Sequence, residues 1–163
     1  VADFPIEKCW QPIDHTPEPF EVLCHNDFAI YNIIFDHERP VGIIDFDVAD
    51  PGPKLWDIAY TLYTCVPLSR FYLDETGKTI NYNRKQHADR IKQRVQCFFE
   101  AYGEDVDSSY LDMILRRLEG LCITIIRRAS EGDKAFQQMI EEGHLDHYRE
   151  DIRFILNHGK EWL

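Results

Sequence analysis

From Val22 onward the chain alternates short apolar runs, Glu21 to Cys24, Ile33 to Phe35 and Val41 to Ile44, with polar segments of turn length. Runs this short predict strands, and the last two predict a hairpin closed by Asp36 to Pro40. After Pro53 the spacing changes. Leu55, Ile58, Ala59 and Leu62 recur at helical intervals until Pro67 ends the segment. A polar loop with Gly77 and Asn81 follows. Asn83 then predicts the cap of a helix whose stripe is Ala88, Ile91, Val95, Phe98 and Phe99, with Gly103 just past its end. Ser108 or Ser109 predicts the next cap, ahead of Leu111, Leu115, Leu118, Cys122 and Ile125. Asp133 predicts another, Gly143 a break, and Leu145, Tyr148, Ile152, Ile155 and Leu156 a last stripe. These stripes face a core. Ahead of them, residues 1–21 hold Pro5, Pro12, Pro17 and Pro19 among polar residues and predict an extended lead-in, which leaves 22–163 as the folded unit.

Length and composition support one folded domain. At 163 residues the chain can bury a core without staples, and 44% apolar with 29% charged residues is far from the composition of disordered chains. Cys9, Cys24, Cys65, Cys97 and Cys122 are odd in number and contain no Cys-x-x-Cys pair, which points to a reducing cytoplasm. No apolar run approaches the roughly 20 residues needed to span a bilayer, so no membrane partner is expected. A net charge of −11 argues against nucleic acid, which demands a basic track. The acidity is uneven: residues 1–82 carry 14 acids and 5 bases, whereas 83–163 carry 15 and 13. A cationic ligand or a metal is favoured near the first half, set against the simpler reading that acidic surfaces keep proteins soluble.

Chemistry concentrates between His25 and Asp57. His25-x-Asp27 followed by Asn32 has the form His-x-Asp-x-x-x-x-Asn, and Asp45-Phe46-Asp47 follows after the hairpin. Phosphoryl transfer needs these residue types, because it consists mostly of aligning two oxygens and neutralising the moving group. Asp27 suits the task of facing an acceptor hydroxyl, and Asn32 and Asp45 supply the hard oxygen donors that Mg2+ prefers when it also holds nucleotide phosphates. Asp47 could contact a second metal or merely close a turn, and Asp50 with the Pro51-Gly52-Pro53 turn reads as structural. His144 and His147 lie three apart but lack a third ligand for zinc. Arg116, Arg117, Arg127 and Arg128 read as a solvated helix face that balances nearby acids.

This stretch resembles the aminoglycoside phosphotransferases and their small-molecule kinase relatives over about residues 22 to 66. The resemblance implies an α+β fold, namely the mostly helical C-terminal lobe of the protein-kinase fold with a short β-hairpin carrying the catalytic and metal loops. It implies ATP and Mg2+, with Asp27 as catalytic base, Asn32 and Asp45 as metal ligands, His25 as a loop brace, and Asp57 holding the catalytic loop from beneath. Ile34 and Ile44 fall where the family floors the adenine. The wording HNDFAIYN, PVGIIDFD, PGPKLWDIAY and VPL is similar to family members described as trifolitoxin immunity domains. Ala29 stands where protein kinases usually carry a lysine or arginine, and Asp47 replaces the glycine of Asp-Phe-Gly. Both departures favour a small-molecule acceptor over a protein. Ile30 replaces the proline common in the family loop, which bears on the loop's rigidity.

Neither a glycine-rich loop nor a strand lysine precedes Asp27: the first glycine is Gly42, and the only lysine before His25 is Lys8. The expectation is that the N-terminal, nucleotide-covering lobe is absent from this chain and that the isolated lobe turns over weakly or not at all. Two functions follow. One is ATP-dependent phosphorylation of a hydroxyl on a small molecule, with cationic compounds among the candidates; the other is a non-catalytic binding or immunity module that keeps the lobe. The apolar surface where a first lobe would sit could also drive self-association.

Overall fold

The computed structural model describes residues 11–66 and 68–163. The first ten residues of the lead-in, with Pro5 and Cys9, and the helix stop at Pro67 lie outside the described residues. Six short strands and five helices follow in the order β1 (Val22–Cys24), β2 (Ile33–Asp36), β3 (Arg39–Ile43), β4 (Asp50–Gly52), α1 (Lys54–Cys65), β5 (Phe71–Leu73), β6 (Thr79–Asn81), α2 (Arg84–Tyr102), α3 (Tyr110–Ser130), α4 (Lys134–Glu141) and α5 (His144–His158). The strands form three separate antiparallel pairs, β1 with β4, β2 with β3 and β5 with β6.

The β2–β3 hairpin turns at His37 and Glu38, with Asp36 paired to Arg39, so Pro40 belongs to β3 instead of closing the turn. The β5–β6 pair corrects the expected polar loop. Its strands are only three residues long, and an Asp74 carboxylate that accepts from the Thr76 and Lys78 amides organises the turn between them.

Capping follows local chemistry. The Asn83 side chain accepts from Lys85 N and the Asp133 side chain from Ala135 N, while Gly103 closes α2 at φ 88°. At the start of α3, Ser109 makes no side-chain cap. Asp107 takes its place, accepting from both the amide and the hydroxyl of Ser109.

The core lies between α1, α3 and α5, where Trp56, Leu62, Ile114, Leu118 and Ile125 are fully buried. Two positions in the expected stripes differ. Ile114 is buried where Leu115 is only partly so, and Leu156 is 60% exposed. The described part of the lead-in lies across α3. Asp14 N donates to Thr124 Oγ1 at 2.8 Å, that hydroxyl donates back to Asp14 Oδ2, and Arg127 Nε donates to the same carboxylate at 3.1 Å. Only glycine permits this approach at position 120, since a Cβ there would lie 2.2 Å from the Asp14 carbonyl oxygen.

Candidate active site

The segment between β1 and β2 is held from below by the first turn of α1. Asp57 accepts from His25 N at 3.0 Å through Oδ2 and from Asn26 N at 2.8 Å through Oδ1. With its backbone tied down, Asn26 takes the left-handed conformation at φ 63°, and its amide nitrogen donates to Val48 O at 3.0 Å. His25 braces the next layer. Its Nδ1 accepts from Asp27 N, so Nε2 carries the proton and donates to Ile44 O at 3.0 Å. The imidazole also lies 4.4 Å from the Phe46 ring, centroid to centroid. Two chain segments 19 residues apart are thereby joined through one ring.

Asp27 sits at the top of this arrangement, half-buried. Its Oδ2 accepts from Asn32 Nδ2 at 2.9 Å and its Oδ1 from the Tyr31 hydroxyl at 3.0 Å. Burial raises its carboxyl above the ordinary carboxylate range, against the two hydrogen bonds that favour the ionised form. Ala29 is fully buried, which leaves no cation at the position where protein kinases place one.

Asn32 and Asp45 are joined through the backbone, since Ile44 N donates to Asn32 O at 3.0 Å. The Asn32 amide nitrogen is committed to the carbonyl and the carboxylate of Asp27, so its oxygen is the atom left to a cation. Asp45 is exposed and left-handed at φ 66°, an uncommon conformation for a non-glycine residue. This oxygen-only pair fits a hard cation such as Mg2+. Among the described residues no group of three or more His, Cys, Asp and Glu side chains gathers to hold a metal. Asp47 is exposed, and His144 and His147 pair with Glu142 and Asp151 respectively.

Ile34 and Ile44 are 43% and 48% exposed. The register Ile34↔Gly42 places them on one face of the hairpin, and Gly42 between them leaves that face open. Leu23, Ile30, Phe35, Val41, Ile43 and Phe46 are exposed nearby in sequence, so apolar surface is concentrated on the strand-bearing segment.

Beside Asp27 lies a cavity of about 440 Å³ whose wall includes Tyr31, Tyr60, Tyr148, Phe136, Met139 and Arg117. Sequence reasoning missed this wall and misassigned Arg117. Arg116 is exposed, Arg127 pairs with Asp14 and Glu131, and Arg128 pairs with Asp133, as a charge-balancing face requires. Arg117 instead is 1% exposed. Its Nη2 donates to Asn26 O, and its guanidinium lies 5.4 Å from the Trp56 ring and 4.5 Å from the Tyr60 ring. The available signal was its helical offset, three residues after Ile114 and next to Leu118. A larger hollow of about 570 Å³ lies between α2 and the β5–β6 hairpin, but Asp27, Asn32 and Asp45 are all absent from its wall. The smaller cavity is the one joined to the chemistry.

A carboxylate braced by an amide and a phenol at the edge of a pocket is suited to taking a proton from a bound hydroxyl. The family model described as phosphotransferase enzyme family matches residues 3–89, more than half of the chain, and the chain belongs to that family. Comparisons with curated proteins and with solved structures returned no match. No helix among the described residues is long and apolar enough to cross a membrane.

Proposed function

We propose that this protein is an ATP-dependent phosphotransferase acting on a hydroxyl group of a small molecule bound in the cavity beside Asp27. The observation that carries the reading is Asp27 itself, oriented by Asn32 and Tyr31 and lining that cavity. The acceptor hydroxyl gives its proton to the Asp27 carboxylate as its oxygen bonds to the γ-phosphorus, while the bond from that phosphorus to the bridging oxygen of ADP breaks. Asn32 Oδ1 and the Asp45 carboxylate would hold Mg2+, which when bound neutralises phosphate charge. Ile34 and Ile44 offer an apolar floor to the adenine, and Asp57, His25 and the Asn26 turn keep the loop rigid. Alanine at position 29, where protein kinases usually carry a lysine or arginine, favours a small acceptor over a peptide.

The residues ahead of Asp27 include no glycine-rich loop and no strand lysine, so ATP consumption by these 163 residues alone is expected to be weak. The test is Mg2+-dependent ATP consumption by the full-length protein across a panel of hydroxyl compounds. Acceptor-dependent turnover lost in Asp27→Asn supports the reading. Turnover unchanged in that variant removes it, and no turnover with any acceptor favours a binding module.

A further inference from the structure

Arg117 carries more hydrogen-bonding capacity than the protein satisfies. Among the described residues its Nη2 is committed to Asn26 O, while Nε and Nη1 are enclosed and make no hydrogen bond. Among the described residues no carboxylate lies within ion-pairing distance of its guanidinium, in contrast with Arg127 and Arg128 on the same helix. Burial pulls the acidity of the guanidinium in the unfavourable direction for the charged form, opposed by Tyr60, Asp57 and Asp27. A buried cation left short of acceptors costs free energy, and a protein tolerates that cost where a ligand completes the set. Arg117 forms part of the cavity that also contains Asp27.

The remainder of that cavity narrows the ligand's chemistry. Among the described residues Asp27 is the one carboxylate in the wall, and the aromatic rings of Tyr31, Tyr60, Phe136 and Tyr148 with Met139 supply much of the rest. A polycation would find a single negative group there. An acceptor with an aromatic or otherwise apolar body and one planar anionic group would meet matching surfaces at both ends.

We infer that Arg117 receives a carboxylate or similar planar oxyanion of the acceptor, through direct or water-bridged hydrogen bonds, and so selects an apolar hydroxy acid over a polycationic alcohol. This rests on the phosphotransferase reading for the acceptor's hydroxyl, but the contact with Arg117 is measurable without nucleotide or turnover.

The experiment compares benzoate with benzyl alcohol, which have similar bodies and differ in the anionic group, by calorimetric titration of the nucleotide-free protein. Benzoate is expected to bind at least ten-fold more tightly. Arg117→Lys keeps a charge that can still reach Asn26 O but loses the planar fork, and it should weaken benzoate by ten-fold or more while leaving benzyl alcohol unchanged. Equal binding of the two probes, no binding of benzoate, or full benzoate affinity in Arg117→Lys would each overturn the assignment and leave Arg117 as a brace for the loop. Should the variant fail to fold, the ¹⁵Nε resonance of Arg117 in the unaltered protein decides: a shift at saturating benzoate supports the contact, and an unmoved resonance overturns it. Failure of ATP turnover with hydroxy acids that do bind would instead count against the phosphotransferase reading.

Discussion

Two buried charges pack against α1, and the protein treats them differently. Asp151, on α5, is fully buried, yet Tyr63 donates to it at 2.8 Å, His147 lies at 3.2 Å and Arg70 at 3.6 Å. Arg117, on α3, is equally enclosed but has one hydrogen bond and two aromatic faces. The first is a structural network that ties α5 to α1, in which Asp151 Oδ2 is hydrogen-bonded and Oδ1 faces the Arg70 cation at 3.6 Å. The second is an open one, placed where a cavity meets Asp27. A buried charge whose partners are all supplied by the fold explains stability, whereas a buried charge lacking partners points outward to something that binds.

The sharpest test of this contrast is on the reaction side. Asp27→Asn should lower kcat by roughly 10²- to 10⁴-fold, the usual contribution of a general base, while thermal midpoint stays level or rises. A variant that loses activity only in proportion to lost folded protein would show that Asp27 belongs with Asp151 as a structural group. Next in size, Asp151→Leu should destabilise the fold by about 1–3 kcal/mol in urea unfolding, because it leaves the buried Tyr63 hydroxyl without its acceptor. Arg117→Met should cost less, about 1 kcal/mol, since the hydrogen bond to Asn26 O is lost while an incompletely paired cation is also removed. The reverse order of these two losses would break the comparison.

The smallest effect concerns pH. Folding raises the Asp27 carboxyl above its unfolded value, so between those two values the folded form binds more protons than the unfolded form. Its contribution to stability is therefore fully present below the ordinary carboxylate range and is lost as pH rises through the raised folded value. Asp27→Asn should remove that share of the decline in a stability-against-pH curve. The acid limb of the rate profile should also lie above the ordinary carboxylate range.

What could be read in the sequence was what is decided locally. Asn83, Gly103 and Asp133 declare helix ends through bonds to residues two to four positions away, and the β2–β3 hairpin closes over a short turn. The polar landmarks from His25 to Asp57 were legible because their spacing lies within one stretch. The rest needed the third dimension. β5 and β6 are three residues each, too short for an alternation to register. Arg117 has the composition of a surface residue and is buried only because Trp56 and Tyr60, some 60 residues earlier in the chain, cover it from α1. Tyr148 reaches the same cavity from α5, so its wall is assembled from parts that no window of sequence contains. Ser108 or Ser109 was expected to cap α3, but the Ser109 side chain is taken by Asp107, whose carboxylate two residues earlier accepts from both its amide and its hydroxyl.

The strap at Asp14 gives the molecule a built-in clock. Its amide proton is held by Thr124, and the neighbouring Ile13 forms part of the cavity beside Asp27. Exchange of that single proton with D2O requires the strap to lift from Gly120, and lifting it opens one side of the pocket. A molecule that fills the pocket against Ile13 should slow that exchange in step with its occupancy, so the bound fraction of a ligand is written in one amide signal remote from the phosphoryl chemistry.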